Sequence, residues 1–142
     1  MTRHEFSRDG ARLSGIDTGE GPAVIFQHGL GGDEAQVSAH FPEIGFRRLT
    51  LECRAQGRSE PGDPARFSIQ TFAGDVLAFA DSRGVERFAV GGISMGAAIA
   101  LNIAVNHPNR ISALIFARPA WAFEKAPENM RPLAEVASYL PR

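Results

Sequence analysis

The stretch VGGISMGAA, residues 90–98, decides the reading of this chain. Residues 87–91 ahead of it are a short apolar run of strand character. Residues 95–106 behind it are rich in alanine and stop before Pro108, as a helix does. Strand, sharp turn and helix follow one another without a linker, and Ser94 stands at the apex between Gly92 and Gly96. This is a G-x-S-x-G pattern in the strand-to-helix setting that lets a serine project as a nucleophile. The glycines have a steric reason, because a side chain at either position would run into neighbouring backbone in so tight a turn. The turn also sets Ser94 at a helix N-terminus, where free N–H groups and the helix dipole favour developing negative charge. Two plainer readings compete. One is a glycine-rich turn that only packs tightly. The other is a dinucleotide-binding turn, but that needs G-x-G-x-x-G in the first strand–helix unit, and Gly91, Gly92 and Gly96 lack both the spacing and the place.

Working outward, residues 3–9 and 12–17 read as two strands with Asp9-Gly10 as the hairpin turn. Residues 23–26, AVIF, are apolar without alternation, which marks a strand buried on both faces of a parallel sheet. They run into His28-Gly29-Leu30-Gly31-Gly32, a loop, and residues 34–41 read as a short helix. Residues 46–52 are the next strand, followed by a polar loop from Cys53 to Pro64. A helix is expected over 68–83, with Ser68 as N-cap, Phe67 and Phe72 as a hydrophobic staple, and Gly84 past its end. Its apolar stripe is Ile69, Phe72, Val76, Leu77 and Ala80. Residues 111–117, ISALIFA, read as a further buried strand. A hairpin followed by repeated strand–helix units predicts an α/β fold with a mostly parallel sheet and right-handed crossovers.

The loop at 28–32 gives Ser94 a partner. Acyl transfer needs two backbone N–H groups aimed at the oxyanion. The donors expected here are the N–H of Met95, after the serine, and the N–H of Leu30. The His28 side chain is read as a structural pin for its loop. Gly29, Ile93 and Trp121 are the residues expected to touch substrate.

Taken together, HGLGG at 28–32, GRS at 57–59 and GISMG at 92–96 resemble the N-terminal portion of an α/β-hydrolase-fold serine hydrolase. The resemblance covers residues 1–118 as the N-terminal part of the core, with residues 119–142 as the start of a lid or cap. It implies an α/β-hydrolase sheet whose C-terminal strands are missing, no metal and no organic cofactor. It also implies hydrolysis of an ester, a lactone or a carbon–carbon cleavage product. Many relatives carry Asp-x-Arg-Gly-x-Gly-x-Ser after the strand at 46–52, whereas this chain has Glu52 for the Asp and Ala55 for the first Gly. That segment shapes a loop rather than the chemistry.

The family order is serine, acid, then histidine. After Ser94 the one histidine is His107, at the far end of the following helix, roughly 20 Å away at 1.5 Å per residue. Glu124 is a positional candidate for the acid, with a solvated charge as its plainer reading. The base is expected from outside this sequence, so little activity is expected of these 142 residues alone. A second polypeptide supplying the C-terminal half is one way to complete the site. A helix is expected near 129–140, with Met130, Leu133, Val136, Ala137 and Leu140 on one side. That stripe reads first as packing and second as the lining of a substrate pocket, while the apolar content of the lid, with Trp121, Phe123 and Met130, leans towards an apolar or aromatic acyl substrate. A binding module with an inert serine, or a haloperoxidase-like perhydrolase, are the competing functions.

Composition narrows the class. The chain is 44% hydrophobic and 22% charged with a net charge of −1, so no basic face favours a nucleic-acid or anionic-membrane partner. One cysteine, Cys53, allows no internal disulfide and fits a cytoplasmic protein. No run is long and apolar enough to cross a membrane.

Overall fold

The computed structural model describes residues 1–119, 128 and 131–138. Strands β1 (Thr2–Arg8) and β2 (Ala11–Thr18) form the hairpin. Arg8 pairs with Ala11, so the turn is the two residues Asp9 (φ 49) and Gly10 (φ 75). Two positive φ angles are what a right-twisted two-residue hairpin turn requires. Four more strands follow: β3 (Ala23–Gln27), β4 (Arg47–Leu51), β5 (Phe88–Ile93) and β6 (Ile111–Ala117). The six make one sheet in the order β1-β2-β4-β3-β5-β6. β1, β2 and β4 are antiparallel neighbours, and β4, β3, β5 and β6 run parallel.

Helix α1 (Glu34–His40) links β3 to β4, α2 (Ile69–Ser82) links β4 to β5, and α3 (Met95–Asn106) links β5 to β6. The chain leaves β3 towards β4 on one side, then crosses back to place β5 on the other. Right-handed crossovers in opposite directions put α1 on one face and the α2–α3 pair on the other. Leu49, Leu51, Ile25 and Val90 meet Phe72, Val76, Phe79, Ile99 and Ile103 in the larger core. On the α1 face Phe26 stacks on Phe41 at 4.2 Å between ring centres. Both faces of β3 are therefore covered, as its unbroken apolar run predicts. α2 begins as expected, with the Ser68 side chain accepting the Thr71 N–H and Phe67 against Phe72 at 5.8 Å. Its buried side also takes Asp75 and Phe79, which the sequence stripe omitted.

β5 runs two residues beyond its expected end, because Gly92 pairs with Gln27 on one side and Phe116 on the other. The buried-strand reading of 111–117 needs correction. β6 is the sheet edge, and its Leu114 and Phe116 are 39% and 46% exposed. Among the described residues nothing pairs with its outer edge. The apolar run records what the strand can bury, and the described chain covers only part of it. A fourth helix, α4 (Arg131–Ser138), lies within the expected 129–140. Trp121, Phe123, Glu124, Met130 and Leu140, with the side chains of Leu133, Val136 and Ala137, lie outside the described residues.

Candidate active site

The carboxyl ends of β3 and β5 lie side by side, with connections departing in opposite directions. In open α/β sheets that switch point opens a crevice for ligands. The loop at 28–32 and the turn at 92–96 meet there. Ser94 sits at φ 53 and ψ −109, a left-handed backbone that a serine adopts only under strain. The two glycines explain how the turn closes. A Cβ on Gly92 would lie 2.6 Å from the Gly96 carbonyl oxygen. One on Gly96 would lie 2.7 Å from the Gln27 carbonyl carbon and 2.8 Å from the His28 oxygen. So close an approach of backbones admits only glycine.

The strain has a visible result. Asp33 and Ser68 open their helices by accepting backbone N–H groups with their side chains. Ser94 opens α3 without any side-chain cap bond. Its own N–H is anchored on the Ala117 carbonyl at 3.0 Å, and its carbonyl accepts from Ala97 and Ala98. The hydroxyl is left without a hydrogen-bond partner among the described residues. The Met95 N–H, first of the helix, is also without an intrahelical acceptor, as helix geometry dictates. Gly29 is next to the serine, since a Cβ there would lie 3.6 Å from Ser94 Cβ. The loop is a β-turn closed by Gly32 N–H to Gly29 O at 3.0 Å. Gly31, third in the turn, has φ 74, the signature of type II.

His28 is fully buried and both ring nitrogens are occupied. Nδ1 faces Gly29 O at 2.8 Å, and Nε2 accepts the Cys53 N–H at 3.0 Å. Burial holds its imidazole below the ordinary histidine range. It pins one loop to another and has no nitrogen left for Ser94. His107 stands at the C-terminal end of α3, as the spacing requires. Burial pushes the Cys53 thiol up to about 12, which leaves it protonated and unreactive. The segment after β4 is architectural. Glu52 binds Arg3 at 2.7 Å and the Arg58 N–H at 2.9 Å, and Arg54 pairs with Asp75 at 2.7 Å. Ser59 accepts the Ser14 N–H at 2.9 Å.

Beside Met95 opens a cavity of about 580 Å³. Its walls are Leu30, Phe67, Ile69, Phe72 and Met95, with Ala55 and Gln56 from the loop after β4. Of the residues expected to touch substrate, Gly29 adjoins Ser94 and Ile93 faces a second cavity with Phe26 and Phe41. Trp121 lies outside the described residues. Phe67, Ile69, Phe72 and Gln56 were missed as cavity residues. The staple at Phe67 and Phe72 was the available signal, since both rings had to sit at the near end of α2.

The family model for the alpha/beta hydrolase fold matches residues 22–140. The chain belongs to that family. A relative named for carbamate hydrolysis, RutD of Agrobacterium fabrum, is 30% identical over 112 residues, 78% of this chain and 42% of that one. Bifunctional epoxide hydrolase 2 of Sus scrofa is 26% identical over 111 residues, 75% of this chain and 20% of that one. The solved enol-lactonase of Burkholderia xenovorans superposes with a TM-score of 0.69 at 26% identity, over 78% of this chain and 45% of that one. A hydrolase of Pseudomonas aeruginosa shares the fold at a TM-score of 0.81 and 24% identity, over 95% and 52%. The chain thus spans less than half the length of the curated relatives it matches. Among the described residues no group of three or more His, Cys, Asp or Glu is placed to hold a metal ion, and no helix is long and apolar enough to cross a membrane.

Proposed function

We propose that this chain carries the nucleophile half of a serine hydrolase. Ser94 Oγ attacks a carbonyl carbon, and the N–H groups of Met95 and Leu30 hold the oxyanion. The proton from Oγ passes to a histidine outside the described residues, oriented by an acid also outside them. A second polypeptide or a longer chain supplies the histidine, with Glu124 as the candidate acid within this sequence. Residues 119–142 are assigned to the start of a lid or cap region. The apolar cavity at Leu30, Phe67, Ile69 and Phe72 suits an apolar or aromatic acyl group. Esters, lactones and carbamates are the substrate classes named or implied by its relatives. One observation carries the reading: Ser94 is held at a strained φ, and among the described residues its hydroxyl and the N–H groups of Met95 and Leu30 have no hydrogen-bond partner.

A small-ligand-binding module with an inert serine is the second reading. It is favoured by the occupied ring of His28, which leaves Ser94 no described base. A fluorophosphonate probe on the natively isolated protein, followed by peptide mapping, separates the two. The hydrolase reading expects one adduct, on Ser94, and none in Ser94→Ala. An unlabelled serine with retained binding of apolar acyl compounds establishes the binding module instead.

A further inference from the structure

We propose that Gln36 and Gln56 are positioning residues that set the oxyanion donor at Leu30. The inference rests on the nucleophile reading above. Consider the four consecutive amides of the turn. Gly29 N–H donates to Gln36 Oε1 at 2.8 Å, and Gly31 N–H to Gln56 Oε1 at 2.7 Å. Gly32 N–H closes the turn on Gly29 O. Leu30 N–H alone donates to nothing among the described residues. Its peptide plane is fixed through the opposite atom. Gly29 O, in the same trans peptide, accepts from Gly32 N–H and lies 2.8 Å from His28 Nδ1. Oxygen and N–H point opposite ways across a planar trans peptide, so pinning the oxygen inward turns the Leu30 N–H outward.

The two glutamines grip the turn from independent elements. Gln36 lies in the first turns of α1, whose start is fixed by the Asp33 cap. Its carboxamide fills the space beneath the turn. A Cβ on Gly32 would come within 2.9 Å of Gln36 Cδ, so that glycine leaves room for the clamp. Gln56 comes from the loop after β4. Its backbone is itself held, with N–H on Cys53 O at 3.0 Å and carbonyl accepting Ser59 N–H at 3.1 Å. Neither glutamine side chain hydrogen-bonds Ser94 or the turn at 92–96 among the described residues; their bonds go to Gly29 and Gly31. Each removes a competing amide from the oxyanion site and holds the turn in one register. A donor displaced by a fraction of an ångström loses much of its worth to the transition state.

The test is a double-mutant cycle read as the second-order rate of fluorophosphonate labelling, with wild type and variants made in the native host. Leu30→Pro deletes the donor itself, and proline suits the second position of a type II turn. It is expected to slow labelling about 10²- to 10³-fold. Gln36→Met, which removes the clamp at a residue outside the walls of the cavity beside Met95, is expected to slow labelling about tenfold in the wild-type background. In the Leu30→Pro background it is expected to change the rate less than twofold, because the donor it positions is gone. A merely structural glutamine slows both backgrounds alike, and that result, or a wild-type rate for Gln36→Met, overturns the inference. Gln56→Met repeats the cycle if Gln36→Met does not fold. A wild type that takes no adduct on Ser94 fails at an earlier step: it removes the nucleophile and the clamp's purpose with it.

Discussion

Ser94 combines two features that a packing residue has no use for, a strained backbone and, among the described residues, a hydroxyl with no hydrogen-bond partner. The strain is of order 1–3 kcal/mol for a non-glycine residue at such angles. Ser94→Gly relieves it, less the greater entropy of glycine in the unfolded chain. The expected outcome is a fold more stable by about 1 kcal/mol in urea titration, with labelling abolished. A destabilised Ser94→Gly would show that the hydroxyl holds the structure together. His28 gives a second prediction at this scale. Its folded-state pKa is depressed by burial, so below about pH 6.5 the unfolded chain binds a proton that the folded one refuses. Stability is therefore full above that pH and falls as the pH drops through it, by up to about 1.4 kcal/mol per unit. Urea midpoints at pH 7.5 and 5.5 measure this, and His28→Gln is expected to flatten the difference.

Among the elements, β4 holds the largest surprise. Residues 46–52 read as a strand, and Leu49 and Leu51 do enter the main core. Arg48, however, is fully buried on the α1 face. It bonds Glu34 at 2.7 Å, Ser38 Oγ at 2.8 Å and the Phe41 carbonyl at 2.6 Å. One guanidinium thus ties both ends of α1 to the sheet, and α1 in turn carries Gln36. Arg48→Met is expected to cost about 3–5 kcal/mol, because Glu34 is left buried without its partner. Adding Glu34→Leu is expected to restore most of it, as apolar replacement of a whole buried pair often does. A single variant as stable as the wild type would mean that the pair holds nothing. The contrast shows what the sequence displays. Hairpin, caps and parallel strands were legible because turn residues and unbroken apolar runs act locally. The burial of Arg48 and the reach of Gln36 and Gln56 were not. Each depends on which loop lies over which, and no local pattern encodes that.

At the scale of the whole molecule, the strand order does the positioning. Because β3 and β5 are neighbours whose connections diverge, two loops about 65 residues apart in sequence share one crevice. The elbow and the HGLGG loop could be placed together from the sequence once the sheet was taken as parallel. The cavity walls could not, since α2 reaches them only through tertiary packing. The same strand order makes a distinct statement about protection. β5 is paired on both sides, so each of its strand amides should exchange slowly, near the rate set by global unfolding. β6 is paired with β5 alone among the described residues. Successive amides of a strand point to opposite sides, so alternate amides of Ile111–Ala117 should exchange orders of magnitude faster than their neighbours. Residue-resolved hydrogen exchange reads this directly. Uniform protection along β6 would mean that another strand covers its outer edge.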